Sequence, residues 1–345
     1  MSATFPQRKI GNTSVSALGL GCMGMSMSLV TGEKRDEEEI FQVLTKAADI
    51  GITFWDTSDF YLDNQDILAN WFHKTGRRNE IFLATKFGCK HGPGGFRDVQ
   101  TDGSPEYVRE ACDKSLKTLG TDYIDLLYVQ RIDSKVPIEK TVAAMADLKS
   151  EGKIRHLGLS ECSSRTLERA CKVHQIDAVQ MEFSPFAMEI EDTGFLDVAR
   201  KLSVTIVPYS PLGRGFLSGT IKSRDDFPPN DPRPRTFPRF SEENFPANLK
   251  LVQIFEDLAK EKGCTTGQVA LAWVLAQGDD FIPIPGTKHM KYLLENAGAV
   301  QMQLNKEDDK RIRDGLNAIG GAKGARYPEA IMAGCFGDSP EMESV

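Results

Sequence analysis

The sequence predicts an α/β fold, a (β/α)₈ TIM barrel formed by residues 1–345 as a single domain. Eight short apolar segments alternate with longer segments of helical periodicity, and no linker or low-complexity tract interrupts them. Strands that are joined by helices pair in parallel through right-handed crossovers, and eight such units close into one barrel of this size. The predicted strands are Ala17–Met23, Thr53–Thr57, Ile81–Lys86, Ile124–Val129, His156–Ser160, Ala178–Glu182, Thr205–Tyr209 and Phe281–Ile284.

Three further segments predict the parts that lie outside the barrel wall. Arg8–Val15 is expected to form an N-terminal β-hairpin around Gly11-Asn12-Thr13, which caps the bottom of the barrel. Lys222–Asn248 is rich in Pro and Arg and is expected to be a long loop on the C-terminal face, either a functional lid or a plain surface loop. Residues 321–345 are expected to fold back over the barrel or to be partly disordered. The clearest predicted helices are Glu37–Asp49, Pro105–Leu119, Ile138–Glu151 and Ser164–His174.

The composition argues against several functional classes. Lys plus Arg number 42 and Asp plus Glu number 49, so the formal net charge is -7, whereas nucleic-acid and anionic-membrane binders need a basic surface. The 7 Cys are odd in number and form no Cys-x-x-Cys pair, which argues against a disulfide framework or a zinc site and fits a reducing compartment. Neither a signal-peptide core nor an apolar run of about 18 residues occurs. We therefore expect a cytoplasmic protein without metal, membrane or nucleic-acid partner, and the oligomeric state stays open.

One glycine motif matches the fingerprint of a Rossmann domain, but its surroundings do not. Gly19–Gly24 matches the G-x-G-x-x-G pattern of Rossmann domains. In those domains a helix opens at the last glycine, and an acidic residue follows about 20 positions later. Here helical spacing begins only near Asp36. The glycines are therefore predicted to ease a tight passage from a strand to a loop.

Candidate catalytic residues follow two neighbouring predicted strands. Asp56 lies at the end of the second strand with Tyr61 in the loop after it, and Lys86 ends the third strand. The ends of barrel strands share one face, where active sites are built. A nearby ammonium is expected to lower the pKa of a tyrosine, so that it can protonate a carbonyl oxygen. Taken singly, each has a structural alternative: a helix cap for Asp56, a solvated strand end for Lys86, and loop packing for Tyr61.

Longer motifs carry a resemblance to a known family. They read LGLGCMGMS, ITFWDTSDFY, IFLATKFG, EGKIRHLGLSE, AVQMEFSPF, IVPYSPLGRGFLSG, IPIPGTKHMKYLLENAGA and RYPEAIM. With these motifs the chain resembles the aldo-keto reductases over nearly its whole length, nearest the pyridoxal reductase-like and auxin-induced-protein-like branch. The resemblance implies an NADP-dependent oxidoreductase that reduces an aldehyde or ketone to an alcohol with NADPH.

The resemblance assigns catalytic roles. It implies that Tyr61 is the proton donor, that Lys86 tunes it, and that Asp56 pairs with the lysine. Gln130 stands where the family has a histidine at the end of the fourth strand. An amide can donate a hydrogen bond to a carbonyl oxygen but cannot relay a proton. His91, in the loop after the third strand, is an alternative, whereas His156 starts the fifth strand at the opposite end of the barrel.

The resemblance also assigns cofactor contacts. Ser160 and Gln180 would hold the nicotinamide carboxamide, Tyr209 would stack on its ring, and Glu161 stands where the family usually has Asn. A 2′-phosphate needs cations and hydroxyls near it, and Thr287, Lys288 and Lys291 can supply them, which favours NADPH over NADH. The alternative is that these lysines belong to a solvated helix N-terminus. The implied cofactor-binding residues are Gly21, Met23, Ser160, Gln180, Tyr209, Ser210, Leu212, Gly213, Arg214, Gly215, Gly286, Thr287, Lys288, Glu295 and Asn296.

The expected substrate is a small carbonyl compound with an apolar or aromatic body. The alternative for the phenylalanines that suggest this is packing in the core or within loops. A second functional hypothesis is a cofactor-binding protein with weak turnover and a regulatory role, as in potassium-channel β subunits, which also lack the histidine. Turnover of a reactive aromatic aldehyde with NADPH separates the two hypotheses. The phenylalanines are Phe60, Phe87, Phe96, Phe183, Phe186 and Phe216.

Overall fold

The computed structural model describes residues 5–26, 35–93 and 95–342, and for residues 95–97 only the backbone. Within these residues, seven parallel strands form one sheet in the order β3-β4-β5-β8-β9-β10-β11. Two antiparallel hairpins, β1-β2 and β6-β7, lie outside it. The strands are β1 (Gln7–Ile10), β2 (Thr13–Ser16), β3 (Leu20–Gly21), β4 (Phe54–Asp56), β5 (Phe82–Phe87), β6 (Cys89–Gly92), β7 (Gly95–Thr101), β8 (Ile124–Val129), β9 (Ile154–Ser160), β10 (Ala178–Glu182) and β11 (Thr205–Tyr209).

The eighth barrel position is filled by an irregular segment rather than by the regular strand predicted at Phe281–Ile284. Pro283 and Pro285 have no backbone N–H and so cannot donate to a ladder. Their carbonyl oxygens instead accept from the amides of Gly19 (2.9 Å) and Gly21 (3.2 Å), while Ile282 donates to Ile206 O at 2.9 Å. The segment therefore bridges β11 and β3, and the predicted (β/α)₈ barrel is confirmed.

Gly21 and the glycine opposite it let the barrel close. They pair across this seam, and a Cβ on Gly21 would lie 2.8 Å from Ile284 O. A Cβ on Gly286 would lie 3.1 Å from Gly21 O. Position 21 therefore needs glycine for backbone packing, and a side chain at position 286 would be tight against the backbone of Gly21.

The predicted helices are close to the observed ones. Glu37–Asp49 and Pro105–Leu119 have the expected bounds, and Asp36 and Ser104 cap them by accepting backbone N–H groups. The predicted strand Ala17–Met23 is too long, because residues 23–26 already form a helical turn. The helices are α1 (Glu37–Asp49), α2 (Asn64–Thr75), α3 (Pro105–Leu119), α4 (Ile138–Ser150), α5 (Ser164–Val173), α6 (Glu189–Asp192), α7 (Phe195–Lys201), α8 (Arg233–Thr236), α9 (Phe245–Lys262), α10 (Thr266–Ala276), α11 (Met290–Gly298), α12 (Lys306–Ile319) and α13 (Glu329–Met332).

The N-terminal hairpin closes the bottom of the barrel, as predicted. Ile10 and Val15 are fully buried and belong to the apolar cluster that fills the barrel interior with side chains such as Phe54 and Leu126. Thr13 Oγ1 lies 2.8 Å from His156 Nε2. His156 is thus at the bottom, far from the strand ends that carry the candidate catalytic residues.

Two C-terminal segments cover the opposite face. Lys222–Asn248 is not a featureless loop, because Phe227, Phe240 and Phe245 are buried around Phe216 and the segment runs into α9. Beyond α12 the chain crosses the mouth of the barrel, where Gly337 N donates to Glu161 O at 2.7 Å. The two segments also meet each other, since the rings of Phe237 and Tyr327 lie 6.0 Å apart between centroids.

Candidate active site

A buried ion pair lies at the carboxyl ends of β4 and β5. Lys86 Nζ donates to Asp56 Oδ1 at 2.5 Å and to Thr57 O at 2.7 Å. From β10, Gln180 Nε2 donates to Asp56 Oδ2 at 2.7 Å. Burial raises the pKa of Asp56 and lowers that of Lys86, and their mutual attraction opposes both shifts. The structure thus brings together three of the residues that the sequence singled out, on one face of the barrel.

Tyr61 lies beside this pair, and Lys86 Nζ is 5.1 Å from the centroid of its ring. Burial, and then the negative charge of Asp56, raise the pKa of the phenol well above its usual value, while Arg131 opposes the shift. The net pKa of Tyr61 is therefore raised in this structure, so any lowering by Lys86 does not outweigh burial and the charge of Asp56. The phenol keeps its proton at neutral pH.

Gln130 follows β8 at the same face, and its side-chain amide has a defined orientation. Ser58 Oγ donates to Gln130 Oε1 at 2.6 Å, and the backbone N of Gln130 donates to Phe87 O at 2.8 Å. Because Oε1 accepts from a hydroxyl, Nε2 is the remaining donor, and within the described residues the side chain forms only the hydrogen bond to Ser58. Ser58 was not singled out from the sequence, although its place two residues after Asp56 is a usable signal.

His91, the alternative to Gln130, lies in the β6-β7 hairpin. Its ring stacks on Phe60 at 3.9 Å between centroids, and Nε2 lies 3.2 Å from Phe60 O. The side chain is exposed. The structure thus gives His91 a packing role on the outside of the loop.

The loop after β11 has the backbone expected of a close approach to a ligand. Ser210, Gly213, Arg214 and Gly215 have φ values of 49°, 56°, 57° and 90°. Glycine adopts this left-handed region without cost, and the absence of side chains at two of these positions leaves the backbone accessible. Leu212, between them, is only partly buried.

Arg214 is engaged within the protein. Its guanidinium donates to Glu182 Oε2 at 2.9 Å and to Arg326 O at 2.6 Å, and it stacks 4.1 Å from the centroid of Tyr327. Burial raises the pKa of Glu182, and the positive charges of Arg214 and Arg326 oppose this shift. Arg214 therefore stabilises the C-terminal tail against β10 in this structure, a contact that the sequence did not predict.

Glu161 joins the same tail to β9. The left-handed φ of 51° at this position explains why an Asn would suit it. The carboxylate is fully buried and accepts two hydrogen bonds from Arg326, at 2.9 and 2.8 Å, and one from Tyr209 OH at 2.9 Å. Burial alone would raise the pKa of Glu161, but Arg326 lowers it below its usual value. Tyr327 OH also donates to Tyr209 OH at 3.3 Å, so the tail holds the tyrosine that was expected to stack on a nicotinamide.

The residues expected to contact the adenosine half lie just before α11 and within it. Thr287 is buried, and its Oγ1 accepts from the backbone N of His289 at 3.0 Å. Glu295 Oε1 accepts from Thr265 Oγ1 at 2.7 Å, and Asn296 is buried one residue further along α11. Lys288 is partly buried beside them.

Three further residues were expected to contact the cofactor. Ser160 is buried at the end of β9, and Met23 is 48% exposed after β3. Gly286 is exposed next to Thr287. All three follow strands or strand-like segments at the carboxyl-end face.

Most of the phenylalanines named as a possible substrate pocket belong to the core. Phe183 stacks on Trp273 at 5.5 Å between centroids, and Phe186 contacts Phe216 at 5.2 Å. Phe87 is fully buried. Only Phe60, of those whose side chains are described, is partly exposed; the side chain of Phe96 lies outside the described residues. The structure therefore favours the packing alternative for four of the six.

Comparison with known proteins decides the family. The sequence pattern of the Aldo/keto reductase family matches residues 17–316. The chain belongs to this family. It is 48% identical to "Aldo-keto reductase yakc [NADP(+)]" of Schizosaccharomyces pombe over 98% of this chain and 99% of the relative. It is 48% identical to "Aldo-keto reductase str7" of Strobilurus tenacellus over 98% of each chain.

Solved structures agree with this aldo-keto reductase fold. The glycerol dehydrogenase AKR11B4 from Gluconobacter oxydans superposes with a TM-score of 0.80 at 26% identity, covering 93% of this chain and 97% of that one. The thermostable aldo-keto reductase Tm1743, solved with the inhibitor epalrestat, gives 0.71 at 27% identity, covering 90% and 100%. In the described residues, no helix is long and apolar enough to cross a membrane.

Proposed function

We propose that this aldo-keto reductase uses NADPH to reduce an aldehyde or ketone to an alcohol, with Tyr61 as the proton donor. The observation that carries the proposal is the buried Asp56–Lys86 pair with Tyr61 beside it, at the carboxyl-end face of the barrel. The ammonium and the carboxylate have 4% or less of their side chains exposed. Removing such charges from water costs several kcal/mol, and buried charges with shifted pKa values are typical of functional sites.

The residues around this pair fit a nicotinamide dinucleotide. Gln180 uses one N–H on Asp56 and keeps its carbonyl oxygen for an amide, and Ser160 adds a hydroxyl. The left-handed glycines 213 and 215 admit a diphosphate close to the backbone. Thr287 and Lys288 offer a hydroxyl and a cation for a 2′-phosphate. The bound dinucleotide supplies the hydride.

The side chains of this chain then act on the carbonyl oxygen. Gln130 Nε2 donates a hydrogen bond that orients the carbonyl and stabilises the negative charge that develops on its oxygen. The Tyr61 hydroxyl gives its proton to the same oxygen. Lys86, held by Asp56, stabilises the phenolate that remains. The tail and the Lys222–Asn248 segment restrict access of water.

Tyr61→Phe tests this assignment. The variant keeps the ring but removes the proton, so kcat for a reactive aromatic aldehyde should fall by about 10²- to 10⁴-fold, with cofactor affinity nearly unchanged. Tyr123→Phe, the same change before β8 at the barrel bottom, is the matched control and should retain activity. A decrease of less than about tenfold in Tyr61→Phe would show that Tyr61 is not the acid. No turnover by the wild type would favour the weak-turnover cofactor-binding hypothesis.

The proposal also includes the substrate class, the cofactor and the location. The substrate has a small carbonyl-bearing body with apolar or aromatic surface, supported by Phe60, Phe237 and Tyr327 at the mouth. The relative named for NADP(+) supports NADPH as the cofactor here. The sequence motifs favour the pyridoxal reductase-like and auxin-induced-protein-like branch, and the free cysteines of the described residues support a reducing, cytoplasmic location.

A further inference from the structure

We propose that Arg131 binds a carboxylate carried by the substrate, so that the preferred substrates are carbonyl compounds with an acidic group. The proposal rests on the function proposed above and narrows its substrate class. Arg131 directly follows Gln130 at the end of β8, and its Nη1 donates to Gln130 O at 2.7 Å. This hydrogen bond keeps the guanidinium at the strand end, next to the proposed carbonyl site.

The position of Arg131 is confined from several sides. The stem of its side chain lies under the C-terminal tail, since a Cβ on Gly334 would be 3.8 Å from Arg131 Cδ. The side chain is only partly exposed. Its charge opposes the upward shift in the pKa of Tyr61 and acts on the Tyr327 phenol as well. By geometry, Arg131 is joined through Gln130 to Ser58, in the loop that carries the proposed proton donor.

Arg131 differs from the neighbouring arginines in lacking a carboxylate partner. Arg326 binds Glu161 through two hydrogen bonds, and Arg214 binds Glu182 at 2.9 Å. Within the described part of the chain, Arg131 forms no ion pair. The nearby carboxylate of Glu161 is already occupied by Arg326. One positive charge at the mouth is thus left for a ligand.

The chemistry of the guanidinium selects the ligand group. Arginine has five N–H donors in a planar fork, which matches the two oxygens of a carboxylate, and Arg131 uses one of them within the chain. A guanidinium cannot lose its charge at neutral pH, so a partly buried, unpaired one is stabilised by an anion. A single cation balances a carboxylate, whereas a phosphate dianion would leave one negative charge beside Glu161 and Glu182.

Matched aldehydes test the proposal. The wild type, Arg131→Gln and Arg131→Lys are compared on 4-carboxybenzaldehyde and its neutral methyl ester with NADPH. Arg131→Gln should lower kcat/KM for the acid by about 100-fold, mainly through KM. It should lower kcat/KM for the ester much less, through the lost effect of its charge on Tyr61. Arg131→Lys keeps a charge without the fork and should lose about tenfold on the acid.

The controls separate the alternatives. Arg235→Gln removes an exposed positive charge from the Lys222–Asn248 segment and should leave the ratio of the two aldehydes unchanged. Ester turnover that is largely retained in Arg131→Gln, with a wild-type unfolding temperature, shows that the variant is folded. An equal loss on both aldehydes, or no loss on the acid, overturns the carboxylate assignment.

A binding measurement tests the role of Arg131 even if the protein does not reduce aldehydes. Calorimetric titration compares 4-(hydroxymethyl)benzoate with its methyl ester on the wild type and Arg131→Gln, each with NADP⁺. Tighter binding of the carboxylate, lost in the variant, supports the role of Arg131 even without turnover. Equal affinities for acid and ester in the wild type overturn it.

Discussion

Gln130→Ala is expected to lower kcat/KM for a neutral aromatic aldehyde by about 10²-fold. In the structure Ser58 holds Oε1 at 2.6 Å, which leaves Nε2 as the donor to the carbonyl. Loss of one donor to a developing oxyanion typically costs about 3 kcal/mol, which is about 10²-fold in rate. Gln130→His keeps a donor and is expected to retain activity on simple aldehydes.

Ser58→Ala is expected to lower the rate less than Gln130→Ala does. Without the hydroxyl the amide is free to turn over, and one ordinary hydrogen bond of about 1 kcal/mol is lost, so the rate should fall about fivefold. In the double variant the loss should be close to that of Gln130→Ala alone, because Ser58 reaches the substrate only through the amide. Its other hydrogen bonds, with Phe60 N at 3.1 Å and Lys86 O at 3.4 Å, hold the loop after β4.

The assay is steady-state NADPH oxidation at pH 7, with thermal unfolding to verify the fold. Gln253→Ala, an exposed glutamine on α9, is the matched control and should behave as the wild type. Full activity of Gln130→Ala across several aldehydes would refute the reasoning and leave Gln130 as packing at the strand end. Additive losses in the double variant would show that Ser58 has a separate role.

Three further results are expected. Arg326→Met should lower the free energy of unfolding by about 3–5 kcal/mol, because it leaves Glu161 buried without its cation; urea unfolding that matches the wild type would contradict this. Lys288→Ala should weaken NADPH much more than NADH in fluorescence titrations, and equal losses would remove the 2′-phosphate assignment. Burial raises the pKa of Asp59 to about 7, so stability is lost as pH rises from about 4 to 7. Asp59→Asn should therefore stabilise the protein by about 1–2 kcal/mol at pH 8 and little at pH 4, and an equal effect at both values in urea unfolding would argue against this titration.

The sequence by itself determined the order of the elements and the face that carries the site. Hydrophobic periodicity and capping residues depend on neighbours along the chain, so α1 and α3 were predicted with their bounds. Parallel strands end on one face, which was enough to bring Asp56 and Lys86 together. The hairpin turn at Gly11-Asn12 is likewise a local signal.

Only the tertiary structure decided contacts between distant segments. Glu161 and Arg326 are separated by 165 positions in the chain, and no periodicity indicates that a tail residue will neutralise a strand end. The same holds for the pKa of Tyr61, which depends on how deeply the tertiary packing buries the phenol and on the nearby charge of Asp56. Phe183 shows the reason most simply: the sequence places it just after β10, but whether its ring faces the mouth or Trp273 depends on how the helices outside the barrel are packed against the strands.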